Sequence, residues 1–305
     1  MKQRYRHKNR PKSTSPADDI GCRPEYLYKY TVGCRPEYLY KYTALRAPPD
    51  NPARQRQLDA LLTKPQLWLA APSSFNDPMD CKPGFRFSSG TAEAREKFRQ
   101  VTIFRMVKRD HPHAKGDELK SLAAEYSRTR QDIDSHFEAE ADVALTEALQ
   151  SIGVLCLSER HRDPVMFYHY GDRHAGMCLK FRTGDFLAGV ERVNYGEDYP
   201  VVDFFDDSNH EEQFEKIFLT KYKGWEYEHE WRYIAANLDL ESTQRLRDYS
   251  PELLSGVIFG YKMSQDDRDR AIDLLNKRAS KVDLFEAKLD RNHYLLDIVP
   301  YVSSK

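Results

Sequence analysis

The sequence predicts an α+β fold, with a mixed or mostly antiparallel sheet as its core and a helical insertion within it. Three observations predict this. Short apolar segments bounded by turn formers recur after residue 150. Helical segments interrupt them irregularly, without the strict strand–helix alternation of a parallel sheet. Between residues 91 and 150 the apolar residues instead repeat at helical spacing.

The chain has 305 residues and a net charge of −1, from 47 basic and 48 acidic side chains. With 40% hydrophobic and 12% aromatic residues, it has the material for a core and is neither collagen-like nor wholly disordered. No window approaches the roughly 20 apolar residues of a spanning helix, so no membrane insertion is expected. Five cysteines, an odd number without a CxxC pair, and a basic polar N-terminus lead to the expectation of reduced thiols, a cytoplasmic location and no metal site.

Along the chain, residues 1–19 read as a disordered arm. Its first sixteen residues carry Lys2, Arg4, Arg6, Lys8, Arg10 and Lys12 without an acid, which suits weak, salt-sensitive contact with nucleic acid. A tandem duplication follows. GCRPEYLYKYT stands at 21–31 and again at 33–43, with Val32 matched by Ala44. The second copy lies nearer the next strand, so Tyr38–Thr43 is expected to pair into the sheet.

Gln66–Ala70 reads as a strand entering a loop rich in turn formers: Ser73, Ser74, Asn76, Asp77 and Pro78. Pro112 and Gly116 divide the 91–150 insertion into two expected helices. Leu119, Leu122, Ala123 and Tyr126 then form a helical stripe behind Asp117 as N-cap. Further strands are expected at 153–157, 176–181, 192–195, 231–235, 256–259, 282–287 and 294–299. Three helices punctuate them. Asp163-Pro164 opens one that stops at Gly171, Ser208 with Glu211 opens one that runs to Gly224, and Ser264 with Asp267 opens the last. No Pro- or Gly-rich linker separates the halves, so residues 20–305 read as a single domain carrying the insertion 91–150.

Chemistry concentrates in Gly224–Ile234, GWEYEHEWRYI. Read as a strand of period two, it sets Tyr227, His229, Trp231 and Tyr233 on one face and Glu228, Glu230 and Arg232 on the other. That row is either a solvated face or the wall of a cleft with two carboxylates available. The Ser73–Asp80 loop and the Tyr168-His169 pair are weaker candidates. No P-loop, GxGxxG, GxSxG or HExxH motif is present.

Six blocks, LYKY, LWLAAPSSFNDPMD, GVLCLSE, MFYHYGDRHAGMCLKF, KGWEYEHEWRYI and GVIFGYKM, together resemble the bacterial domain-of-unknown-function family 2971. They run in the same order from about residue 37 to 299. The departures are the doubled GCRPEYLYKYT and Phe167 in place of an expected tryptophan. The layout also resembles, distantly, the ADP-ribosyltransferase toxins.

That resemblance implies NAD as substrate and an acceptor in protein or nucleic acid, as for a toxin or phage-defence effector. It implies Glu230 and Glu228 as catalytic carboxylates, with Tyr40, Tyr42, Ser73, Ser74, Asn76 and Arg232 binding NAD. The serine motif comes earlier in this chain than in those enzymes. In such a reaction a carboxylate at the ribose would stabilise the oxocarbenium-like charge that forms as nicotinamide leaves. Two other readings stand beside it: a non-catalytic binding or sensing protein of a defence system, and a magnesium-dependent nuclease using Asp77, Asp80, Glu228 and Glu230.

Overall fold

The computed structural model describes residues 35–87, 90–129, 137–205, 209–236, 238 and 245–303. The basic arm and the first copy of the duplication lie outside the described residues. In chain order the elements are β1 (Tyr38–Thr43), α1 (Pro52–Thr63), β2 (Gln66–Trp68), β3 (Gly84–Arg86), α2 (Ala92–Asp110), α3 (Gly116–Thr129), α4 (Phe137–Gln150), β4 (Gly153–Ser158) and α5 (Pro164–Tyr170). There follow β5 (Met177–Arg182), β6 (Glu191–Arg192), β7 (Asn194–Gly196), β8 (Val201–Asp203), α6 (His210–Phe218), β9 (Thr220–Tyr222), β10 (Glu230–Ala235), β11 (Leu246–Asp248), β12 (Leu254–Phe259), α7 (Gln265–Leu275), β13 (Asp283–Leu289) and β14 (Leu296–Pro300).

Eight strands form one sheet in the order β14-β13-β12-β5-β1-β4-β10-β6. Within this sheet, among the described residues, only β12 and β13 pair in parallel, and α7 supplies the crossover that a parallel pair requires. The architecture is therefore α+β on a mixed sheet. The chain divides into two compact units, whose described parts are residues 85–148 with 203–205, and residues 35–84, 149–202 and 209–303.

The larger unit holds the sheet. The second copy of the duplication supplies β1, paired along its whole length with β5, as its spacing led us to expect. Side chains alternate across β1. Leu39 joins Leu155, Leu157, Leu179, Trp231 and Val257, over which α1 brings Leu61 and Leu62 and α7 brings Ala271 and Leu274. Tyr40 and Tyr42 point the other way, to Cys178, Ile258 and the Met166 and Phe167 of α5.

Helix α5 begins where expected. The Asp163 side chain accepts from the Val165 and Met166 amides, and Pro164 fills the first turn. After it, Asp172, Arg173 and His174 all adopt left-handed backbone, which turns the chain sharply into β5. A Cβ on Gly260 would stand 2.1 Å from the His174 carbonyl oxygen, so glycine is what lets the end of β12 close on this turn.

Several elements differ from the sequence expectation. The expected cap Ser208 lies outside the described residues; Asn209 caps α6, its side chain accepting from the Glu212 amide, and the helix ends at Phe218, short of Gly224. The Thr220 hydroxyl donates to the Glu215 carbonyl and satisfies the last turn, freeing Thr220–Tyr222 to pair as β9 with β7. The segment expected as one strand at 192–195 is split between β6 and β7.

In the smaller unit, the stripe of Leu119, Leu122, Ala123 and Tyr126 packs α3 against Phe98, Ile103, Met106 and Val107 of α2. Thr91 caps α2 by accepting from the Ala94 amide. Asp117 lies inside the first turn of α3, not at its cap.

Candidate functional site

Strand β10 begins only at Glu230. Before it, Lys223–Glu228 winds as a 3₁₀ turn, and His229 takes left-handed backbone with φ 42°. The period-two row across 227–233 is thus corrected. Trp231 and Tyr233 pack on the Leu155 face as expected of that set, whereas Tyr227 packs with Phe167 on the other. The reversal at His229 still brings Glu228 beside Glu230, by a turn instead of by strand alternation.

The three charged side chains face neither solvent nor an open cleft. Glu228 and Glu230 are each 3% exposed and Arg232 is 0% exposed. With Asp80, which ends the turn-rich loop, and Lys221 of β9, they build one buried lattice. Arg232 holds Glu230 through Nε at 2.9 Å and Nη2 at 3.0 Å, and Asp80 through Nη1 at 2.9 Å and Nη2 at 2.6 Å. Its Nη1 also donates to the Phe218 carbonyl oxygen at 2.7 Å. All five guanidinium N–H groups therefore have oxygen acceptors.

Lys221 Nζ lies 2.5 Å from Glu228 Oε2, 3.0 Å from Glu230 Oε2 and 3.6 Å from Asp80 Oδ2. The Tyr170 hydroxyl donates to Glu228 Oε1 at 2.5 Å. The Tyr195 hydroxyl accepts from the Glu230 amide, and Ser158 Oγ donates to the Glu228 carbonyl.

Three carboxylates face two cations here, so complete ionisation would leave one negative charge unbalanced. The imbalance falls on Glu228. Burial raises its carboxyl above the usual range; Lys221 opposes this, and the neighbouring Glu230 adds to it. Burial would raise Glu230 too, but Arg232 and Lys221 outweigh it and hold that carboxyl well below the usual range. Lys221 would be lowered by burial, yet Glu230, Glu228 and Asp80 hold it well above its ordinary value. Burial and then Glu228 push the Tyr170 phenol upward.

These shifts have opposite consequences for stability. The lowered Glu230 contributes stability that is present above the ordinary carboxylate pKa of about 4.3 and lost as pH falls below it. The raised Glu228 contributes stability that is full below that value and lost as pH rises through its folded pKa. Thermal unfolding followed against pH is expected to show an acid-side decline below about pH 4 that Glu230→Gln lacks. Glu228→Gln is expected to flatten the decline on the alkaline side. An unchanged acid limb in Glu230→Gln would show that this carboxylate is not held as described.

The remaining predicted residues divide. Tyr40 lies opposite Ser158, and Ser158 opposite Glu230, so the three form one row across β1, β4 and β10. The Tyr40 ring stacks on His161 at 4.6 Å. Tyr42 donates to the Arg160 carbonyl and meets Phe167 edge-on. It does not reach the carboxylates through any of these contacts.

Ser73, Ser74 and Asn76 are exposed. Ser73 and Ser74 lie in a short 3₁₀ turn, where Ser74 Oγ donates to the Ala71 carbonyl. Their loop joins the lattice through Asp80 and through Phe75, whose ring lies 5.6 Å below the Arg232 guanidinium. Asp77 accepts from the Met79 amide. Of the four nuclease candidates, Asp80, Glu228 and Glu230 gather, but around Lys221 and Arg232. Among the described residues no group of three His, Cys, Asp or Glu side chains is placed to hold a metal ion.

Sequence reasoning missed Lys221, Tyr170 and Tyr195. Lys221 lay inside the expected α6 extension, and Tyr170 was overshadowed by Tyr168 and His169. Three acids gathered round one arginine would have called for a second cation.

No family model matches the chain, and no curated protein or solved structure matches it. The resemblance to family 2971 therefore rests on the six sequence blocks alone. Among the described residues no helix is long and apolar enough to cross a membrane.

Proposed function

We propose that the chain acts as a binding protein and that Glu228, Glu230 and Arg232 serve as its internal frame instead of as NAD-handling groups. One observation supports this reading. Every N–H of Arg232 and each oxygen of both glutamates is engaged by a protein partner at hydrogen-bond distance. A carboxylate that must meet a ribosyl cation needs an oxygen turned toward substrate.

The test is incubation of the full chain with labelled NAD and cell extract. The expected outcome is no label in protein or nucleic acid and no NAD loss above the blank. NAD turnover that disappears in a folded Glu230→Gln variant would overturn this reading.

A second reading, an ADP-ribosyltransferase with a protein or nucleic-acid acceptor, draws support from the Tyr170 end of the lattice. There Glu228, with its raised carboxyl, suits proton transfer. Beside it, His169, Trp225 and Tyr227 lie with ring centroids 6.1–6.3 Å apart, offering flat faces to a base or nicotinamide. In this reading Glu228, not Glu230, is the working carboxylate, and labelled NAD is consumed by wild type but not by Glu228→Gln.

A further inference from the structure

We propose that the space bounded by α1, β1, β2 and β4 binds a small apolar monocarboxylate, with its carboxylate between Lys41 and Arg54 and its body against Leu58 and Trp68. The proposal rests on the binding-protein reading. The space arises because β1 and β4 are in register at one residue pair, Tyr40 opposite Ser158, and then part. Its volume is about 140 Å³, near the ~150 Å³ of an apolar cavity that takes up benzene. A ring or a branched chain of about six carbons is therefore the size that fits.

The lining is chemically divided. Leu58, Leu61, Trp68, Val154 and Leu246 make an apolar wall, while Lys41 and Arg54 supply two cations and no carboxylate lines the space among the described residues. Among the described residues Lys41 Nζ reaches only the Cys156 carbonyl, at the 3.5 Å limit of a hydrogen bond, and the Arg54 guanidinium gives one hydrogen bond to Gln57 at 3.3 Å. Nearby acids are already committed: Asp248 accepts the Gln66 amide, and Glu230 belongs to Arg232 and Lys221.

Burial lowers the Lys41 ammonium and outweighs the neighbouring Cys156 and Glu230, which raise it, while the Arg54 charge lowers it further. A cation removed from water without a counter-charge is costly, and an incoming carboxylate would offset that cost. Inorganic phosphate would satisfy the cations but waste the apolar wall. A carboxylate with a hydrocarbon body uses both halves.

The probe is benzoate, titrated into the full chain while tryptophan fluorescence and thermal unfolding are followed. The expected result is a saturable fluorescence change and a Tm that rises with benzoate concentration, with neither produced by benzyl alcohol. Lys41→Met and Arg54→Gln should each weaken benzoate binding at least about tenfold, the loss of one charge-assisted contact. Lys41→Met exchanges a cation held by one long hydrogen bond for an apolar chain of similar length, and Arg54 is an exposed residue of α1, so both variants should fold. Trp68→Phe should remove most of the fluorescence change and keep the Tm response. No saturable response in wild type, or undiminished binding in both charge variants, overturns the proposal. NAD turnover in the preceding assay would overturn the binding-protein reading, whereas the benzoate titration reports on this site by itself.

Discussion

Arg232→Met is expected to destabilise the protein by about 3–5 kcal/mol, the usual cost of removing one partner from a buried ion pair. The size follows from what remains. Asp80 and Glu230, each held by two guanidinium bonds, would face each other in a site 3–5% exposed, with Lys221 as the one cation still in ion-pair contact with both among the described residues. The Phe218 carbonyl at the end of α6 would lose its donor as well. Arg232→Lys restores the charge but offers three donors from one point where five forked ones are used, so it should recover only part of the loss. Urea unfolding of the three proteins checks this, and a loss below about 1 kcal/mol in Arg232→Met would show that the lattice does not hold the fold.

Phe167→Ala is expected to cost a further class of stability, about 3–5 kcal/mol, from lost burial and the cavity left behind. Phe167 is wholly enclosed, and its ring meets Tyr42 edge-on at 4.9 Å. It is the main apolar anchor of a seven-residue helix that carries Tyr170 to Glu228. The variant should therefore loosen the Tyr170 bond while leaving the Arg232 end of the lattice in place. Thermal unfolding gives the stability change, and amide exchange at residues 164–171 gives its location. Wild-type protection of α5 in this variant would show that the helix is held by something other than this ring.

Much of the framework was legible because local rules and packing agree. The segments at 153–157, 231–235 and 256–259, apolar but for Arg232, are strands buried on both sides of the sheet. The Asp163-Pro164 and Ser264–Asp267 signals open helices because those caps satisfy amides that any helix start leaves free. The charged cluster was legible as a grouping but not as an environment. Glu228, Glu230 and Arg232 read as a solvated or cleft-lining row because sequence spacing carries no information on Asp80, 152 residues away, or on the end of α6. Their burial is a tertiary property: two cations and a carbonyl from separate elements make it tolerable. The helix overrun to Gly224 has a local cause, since the Thr220 hydroxyl can bond a carbonyl of the preceding turn whether the helix continues or stops there.

The Asp80–Arg232 pair also has a consequence in polymer terms. It closes a chain loop of 152 residues, and helices α2 to α6 lie within that loop. The entropy lost on closing a loop grows with the logarithm of its length, so each halving or doubling changes the closure cost by only about 0.6 kcal/mol. A clasp this deep in the sheet is thus nearly indifferent to how much chain it spans. Residues can be added to or removed from the segment between β3 and β4 at little thermodynamic expense, provided that Asp80 and the strand bearing Arg232 still meet.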